Sequence, residues 1–351
     1  MSAPVGVLLS NLGTPEAPRV PEVRRYLRQF LSDPRVFDIP SPVRRAVLEL
    51  AILPTRPAIS ASAYAKIWTE AGSPLLVNSL ALRDAVAERL PAPAWKVALG
   101  MRYGEPALDG AYQELVAAGC TRIVVAPLYP QYAASSTGST LEVIYGAAAQ
   151  AWNTPALAVV PPFYGDARFI ESFARVAEPV LAEHPVDHVL LSFHGLPERH
   201  MLKGDPSGAH CLASADCCDT ITAVNASCYR AQCHQTARML AARLGLADGA
   251  WSLGFQSRLG RTPWIKPYSD ELLISLAERG VKRIAVMCPA FVADCLETLE
   301  EIGIRADEDW RARGGESLVL VPSLNATPTW VDTVVALVRE VAGRVDADHS
   351  A

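Results

Sequence analysis

The sequence predicts an α/β protein of two similar domains, each a parallel sheet covered by helices on both faces. Three observations carry this expectation. The phrase Val-Leu-Leu-Ser-x-x-Gly-x-Pro-Glu occurs twice, as VLLSNLGTPE at 7–16 and VLLSFHGLPE at 189–198. A second pair of segments, 95–132 and 251–293, matches at nearly the same distance. At 351 residues the chain is too long for one typical domain and comfortable for two that each bury a core. Half of it is hydrophobic and the net charge is −5, so nothing suggests a nucleic-acid partner.

In chain order, the first copy of the phrase is an apolar run stopped by Gly13 and Pro15, which reads as a buried strand entering a loop. Residues 37–59 (FDIPSPVRRAVLELAILPTRPAI) combine Arg44, Arg45 and Arg56 with Leu, Ile and Ala. The ordinary reading is an amphipathic helix packed on the domain. The sharper one is an apolar lip with basic edges, suited to a flat apolar ligand bearing carboxylates or to a membrane surface. Next, KVALGMRYG precedes LVAAGCTRIVVAPLYPQY in the first half, and WSLGFQSRLG precedes LAERGVKRIAVMCPAFVA in the second. Gly119 pairs with Gly280, Arg122 with Arg283, Ile123 with Ile284, and Arg102-Tyr-Gly with Arg258-Leu-Gly. A helix ending at a glycine, followed by a strand without polar alternation, is what a doubly covered parallel sheet requires.

The two copies of the phrase differ where Leu12 becomes His194. Sites in such sheets lie at the carboxyl ends of strands, and His194 stands at one. A histidine there is often a hydrogen-bonded structural residue, but neutral imidazole is also a proton acceptor and a metal ligand near neutral pH. Farther on, PYSDE at 267–271 opens a helix with Ser269 as its N-cap and Asp270 and Glu271 in the first turn. Complementing the helix dipole accounts for both acids. After a loop rich in aromatics and cations (FQSRLGRTPWIKPY) they could also carry cations or protons to a pocket.

Five of the eight cysteines crowd one stretch: Cys211, Cys217, Cys218, Cys228 and Cys233, spaced C-x5-C-C-x9-C-x4-C. In a reducing compartment such crowding points to metal rather than to disulfides. Zinc sites favour two tight C-x2–4-C pairs, and only the wider Cys228/Cys233 step comes near one. Four thiolates on a loop suit an iron–sulfur cluster at least as well, and free buried thiols are the third reading. Five candidates for four places leave one over, with Cys217 and Cys218 the evident ambiguity. Cys120, Cys288 and Cys295 lie in apolar contexts and read as core.

SFHGLPERH, FQSRLGRTPWIKPYSDELL and PAFVADCLETLEEIG resemble the ferrochelatases, as do NLGTPEAP, GMRYGEPAL and PLYPQYAASSTGST in the first half. The resemblance spans about residues 7–303. It implies two Rossmann-like, chelatase-type domains with four-stranded parallel sheets and an active cleft between them. The expected division is 4–152, with the lip at 37–59 and a C-terminal helix at 328–343 packing back on it, and 155–325, with a cysteine-rich insertion at 207–233. The implied activity is insertion of Fe²⁺ into protoporphyrin IX with release of two protons, the last step of haem synthesis. His194 and Glu271 are then the catalytic and iron-handling pair. Leu12, Tyr64, Ser73, Arg102 and Tyr132 match positions that line the porphyrin pocket in the family. Some members hold a [2Fe-2S] cluster on internal cysteines in this region, and the present sequence is similar to that type. It departs from others in carrying Cys295 where some relatives have His. The resemblance favours protoporphyrin over coproporphyrin III; the competing readings are a chelatase for another tetrapyrrole and a porphyrin or iron–sulfur sensor without turnover.

The opening MSAPVGVLLSNLG lacks a basic n-region, and no window approaches the roughly 18 apolar residues of a membrane span. A cytoplasmic location is expected, with peripheral contact at the inner membrane face open to the lip. The oligomeric state stays open between monomer and homodimer. The tail RVDADHSA reads as polar and frayed.

Overall fold

The computed structural model describes residues 3–260 and 262–347. The chain divides into two compact units, Met1–Tyr129 with Ala134–Pro161 and Asn325–Ala351, and Pro130–Ala133 with Pro162–Leu324. Unit 1 runs β1 (Val5–Gly13), α1 (Val20–Ser32), α2 (Ser41–Val47), α3 (Arg56–Ile67), α4 (Pro74–Arg89), β2 (Trp95–Tyr103), α5 (Leu108–Ala117), β3 (Arg122–Pro127), α6 (Ser139–Gln150) and β4 (Ala156–Val159). Unit 2 runs α7 (Ala167–Glu183), β5 (His188–His194), α8 (Glu198–Lys203), α9 (Tyr229–Arg243), β6 (Trp251–Gln256), α10 (Ser269–Glu278), β7 (Arg283–Met287), α11 (Asp307–Ala312) and β8 (Ser317–Leu320). The last helix, α12 (Pro328–Ala347), returns to unit 1. No helix among the described residues is long and apolar enough to cross a membrane.

Each unit holds one four-stranded, all-parallel sheet, ordered β2-β1-β3-β4 and β6-β5-β7-β8. The central strands are apolar on both faces because both faces are covered: Val7, Leu8 and Leu9, like Leu190 and Leu191, are fully buried. In unit 1, Leu8, Ile123 and Val125 pack under Leu115 of α5 and Ile144 of α6. In unit 2, Leu190, Ile284 and Val286 pack under Leu273 and Leu276 of α10 together with Ile302 and Trp310.

The duplication is visible bond by bond. Gly119 follows α5 at φ 81°, its N–H reaching Val116 O while Cys120 N–H reaches Leu115 O. Gly280 follows α10 at φ 85°, with the same pair of bonds to Ala277 O and Leu276 O. Both are Schellman ends, and only glycine adopts that φ without strain. Ser10 pairs with Gly100 and Ser192 with Gly254, so Leu12 and His194 are equivalent. The same register makes Arg102 the counterpart of Gln256, not of Arg258. The motif pairing of the two Arg-x-Gly segments is therefore displaced by two residues. Gly100 and Gly254 have a common reason to be glycine: an added Cβ would lie 2.7 Å from Leu108 Cα or 2.6 Å from Ser269 Oγ, at the first residues of α5 and α10.

Two local expectations fail. Residues 37–59 do not form one amphipathic helix; α2 buries no residue, a π-helical turn follows at Leu48–Ile52, and α3 starts at Arg56. Pro40, Pro42, Pro54 and Pro57 break the run, and Val43, Leu50 and Ile59 stay exposed. The polar tail is helical as far as Ala347, and residues 348–351 lie outside the described residues.

Candidate functional site

His194 is the last residue of β5, and the only one in that strand that is not buried. Its Nδ1 lies 2.6 Å from the carbonyl oxygen of Gly195. A carbonyl can only accept, so Nδ1 donates here, which leaves Nε2 as the ring nitrogen that can exchange a proton or meet a metal. The ring meets Phe291 edge-on at 6.2 Å, and the Tyr229 hydroxyl donates to the His194 carbonyl at 2.9 Å.

The acid in electrostatic reach of His194 is Glu301. It lies on a π-helical stretch, Glu297–Ala306, that leaves the loop after β7. Ser257, held at φ 66°, donates its backbone N–H to Glu301 at 2.9 Å and its hydroxyl to the same carboxylate. Burial pushes the Glu301 carboxyl above the ordinary range and the neighbouring Glu297 adds to this, while Ser257, His194 and Arg305 act in the opposite direction. Glu297 also bonds the Cys295 thiol. Two carboxylates four residues apart on a π-helical stretch, one of them pushed up by burial and in reach of an imidazole, make a chain of groups that can bind a cation and pass protons.

Glu271 is differently placed. It is more than half exposed and ion-paired to Arg258 at 3.0 Å, beside Asp270–Arg258 at 2.6 Å. Arg258 in turn sits 4.2 Å over the Tyr268 ring. Ser269 does not cap α10: Tyr268 is the N-cap, and the buried Ser269 hydroxyl points to Ser192 Oγ at 2.8 Å. The sequence reading did not single out Glu297 and Glu301 as candidates, although LETLEE at 296–301 carries three acids, two of them four apart.

Of the other candidates, Leu12 is the next-to-last residue of β1, half-buried, its N–H bonded to Asn11 Oδ1. Tyr64 is buried on α3, edge-on to Trp68 at 6.1 Å. Ser73 is the N-cap residue of α4, its Oγ accepting from Thr14 at 2.8 Å. Arg102 bonds Asp33 at 2.7 Å and Ser139 Oγ at 2.6 Å. Tyr132, in unit 2 and half-buried, donates its N–H to Gln232 Oε1.

The five clustered cysteines are all buried. Cys217 and Cys218 sulfurs lie 3.7 Å apart, and Cys228 bonds both Cys218 and Cys211. Cys228 is the N-cap residue of α9. The Cys218 thiol, joined by backbone N–H groups of Ala231 and Arg230, pulls the Cys228 thiol down against its burial. Burial pushes the Cys211 thiol up; Cys218 also moves up, chiefly through its bond to Cys228. Arg230 Nη1 approaches Cys218 Sγ at 3.0 Å. Cys233 stands apart inside α9, bonded to the Tyr229 hydroxyl. Among the described residues no group of three or more His, Cys, Asp or Glu side chains is arranged to hold a metal ion.

The sequence profile of the ferrochelatase family matches residues 4–342. The chain belongs to the ferrochelatase family. The ferrochelatase of Coxiella burnetii (strain CbuK_Q154) is 48% identical over 337 residues, covering 96% of this chain and 93% of that protein. Those of Pseudomonas fluorescens (strain Pf0-1) and Azotobacter vinelandii (strain DJ / ATCC BAA-1303) are 51% and 50% identical, covering 94% and 95% of this chain and 96% and 98% of theirs. Among solved structures, SirB from Bacillus subtilis with Fe³⁺ matches with a TM-score of 0.56 at 13% identity, covering 98% of each chain. That likeness shows the two-sheet chelatase fold for this ferrochelatase relative.

Proposed function

We propose that this ferrochelatase-family chain inserts Fe²⁺ into protoporphyrin IX and releases two protons, as the last step of haem synthesis. The observation that carries the reading is His194 at the end of β5, its Nδ1 2.6 Å from the Gly195 carbonyl, in electrostatic reach of the Glu301 carboxyl, which burial pushes up. Two pyrrole N–H protons must leave as the cation enters, so the site needs an acceptor at the macrocycle and a route away from it. His194 Nε2 takes a pyrrole proton or holds the metal from one side. Glu301 and Glu297 then relay protons or deliver the cation, a role the exposed Arg258 pair leaves Glu271 poorly placed to fill. Leu12 and Tyr132 contact the macrocycle. Tyr64, Ser73 and Arg102 are further porphyrin candidates in unit 1, with Ser73 and Arg102 engaged by Thr14 and by Asp33 and Ser139. The lip, with Val43, Leu50 and Ile59 exposed among arginines, meets the membrane surface peripherally.

The cysteine segment holds a [2Fe-2S] cluster through Cys211, Cys217, Cys218 and Cys228. Four buried thiols linked in sequence through Cys218 and Cys228 support this, with Cys228 pulled down chiefly by its bond to Cys218 and further by backbone N–H groups of α9. Metal insertion involves no net redox change, so when bound the cluster supplies structure or sensing rather than electrons to the reaction.

The test is an anaerobic assay of purified protein with Fe²⁺ or Co²⁺ and with protoporphyrin IX or coproporphyrin III. Turnover is expected to be highest with Fe²⁺ and protoporphyrin IX. His194→Ala should lower kcat at least about a hundredfold, and Glu301→Gln about ten- to a hundredfold. Glu271→Gln should stay within about twofold of the parent. A large loss in Glu271→Gln with none in Glu301→Gln would return the acid role to Glu271.

A further inference from the structure

Gln256 is the last residue of β6, 4% exposed, and paired in register with His194. Its backbone carbonyl accepts from the N–H of Gly195 at 2.8 Å, and Gly195 is the residue whose own carbonyl orients the His194 ring. Its side-chain Nε2 donates to the carbonyl of Glu297 at 2.9 Å, at the first residue of the π-helical stretch. Its Oε1 accepts from Ser192 Oγ at 2.7 Å, and Ser192 in turn meets Ser269. A carbonyl can only accept, so the bond to Glu297 fixes which end of the amide faces the acids.

From this geometry we infer that Gln256 is a positioning residue for metal insertion: it sets the spacing between the His194 imidazole and the Glu297/Glu301 carboxylates. One amide and its own peptide group grip the two halves of the reacting constellation, the His194 strand end and the π-helical stretch that carries the acids. The duplication sharpens the point. The equivalent residue of unit 1 is Arg102, beside Leu12, and it is tied to Asp33 and Ser139. Beside the strand end that carries an active side chain, the same position instead holds a neutral amide that adds no charge to the acids and bonds to their backbone.

The inference rests on the roles proposed for His194 and the two glutamates, so the experiment carries its own controls. Gln256→Met keeps length and bulk and removes the amide. It should lower kcat about ten- to a hundredfold, as expected for a misplacement of about 1 Å. The porphyrin KM should stay within about threefold, and the pH dependence of kcat should shift, because the acids and the imidazole would no longer share one geometry. Gln256→Asn, too short to reach Glu297, should resemble Gln256→Met rather than the parent. A folded Gln256→Met with parental kcat and pH profile would overturn the inference, as would a loss matched wholly by a fall in melting temperature. If Gln256→Met does not fold, Ser192→Ala decides in its place: it frees Oε1 from the other side and should show the same pH shift with a smaller fall in kcat, and an unchanged profile overturns the inference. Unchanged insertion in both His194→Ala and Glu297→Gln would instead sink the underlying site.

Discussion

The Asp33 carboxylate is wrapped by Arg102, by the Tyr103 and Ser139 hydroxyls, and by the N–H of Arg35. Burial pushes its pKa up, but the hydrogen bonds of Ser139, Arg35 and Tyr103 and the charge of Arg102 outweigh it and hold the group below its ordinary value. The sign of the linkage follows: a depressed carboxyl adds stability that is full above the unfolded pKa of about 4 and is lost as pH falls through the folded value. Melting temperature should therefore fall in the acid range below about pH 4. Asp33→Asn should be less stable at neutral pH by on the order of 1–3 kcal/mol, since the half-buried Arg102 loses its charged partner and keeps Ser139, and should show a flatter acid limb. Melting curves from pH 7 to 3 on both proteins check this; parallel curves would remove Asp33 from the acid transition. The same cluster shows what a sequence hides at this scale. Arg102 in GMRYG reads as a substrate contact because nothing near it in the chain announces Asp33, which lies 69 positions away. Glu271 reads as a candidate acid from its place in the first turn of α10, and the fold adds its ion pair with Arg258, which the sequence does not announce. His194 stands out in the sequence because its repeated phrase supplies an internal control, Leu12.

Elements were easier to read than single roles. Strands buried on both faces leave long apolar runs, and a helix that must turn sharply into the next strand leaves a glycine, so the Gly119 and Gly280 ends stood out. The segment at 207–233 gave composition without shape. Its shape comes from two polar residues. Asp205 accepts from the N–H groups of Ser207, His210 and Cys211, and that set of bonds, led by the one from Cys211, holds its carboxyl far below the ordinary range. Asn225 bonds Thr222 N and the carbonyls of Cys217 and Thr220. They shape the segment in which Cys211 and Cys218 bond Cys228 and Cys217 lies against Cys218, while Cys233 sits inside α9 and bonds Tyr229; the four thiols proposed above follow that grouping. Anaerobically prepared protein should show visible iron–sulfur absorption that Cys218→Ser and Cys228→Ser abolish and Cys233→Ser retains. Loss of the bands in Cys233→Ser, with retention in Cys228→Ser, would reverse the assignment.

At the scale of the whole molecule, the duplication does not leave two interchangeable halves, because α12 crosses back. It packs on α4 and on strands β3 and β4, and Arg89 pairs with Asp332 across the α4 contact at 2.7 Å. Alternation along β3 turns Ile123 and Val125 toward α5 and α6, so Val124 needs cover on the opposite face. There α12 supplies Trp330, Val331, Val334 and Val338, each 2% exposed or less. Unit 1 is thus closed by residues made after all of unit 2, and its stability depends on the last helix. Trp330→Ala should cost about 3–5 kcal/mol, the range for truncating a fully buried aromatic. Trp152→Ala, at a tryptophan that is 99% exposed, should change stability by no more than about 0.5 kcal/mol. Urea unfolding followed by circular dichroism separates the two. If α12 were only an appendage, Trp330→Ala would shift the midpoint no more than Trp152→Ala, and unit 1 would close without it.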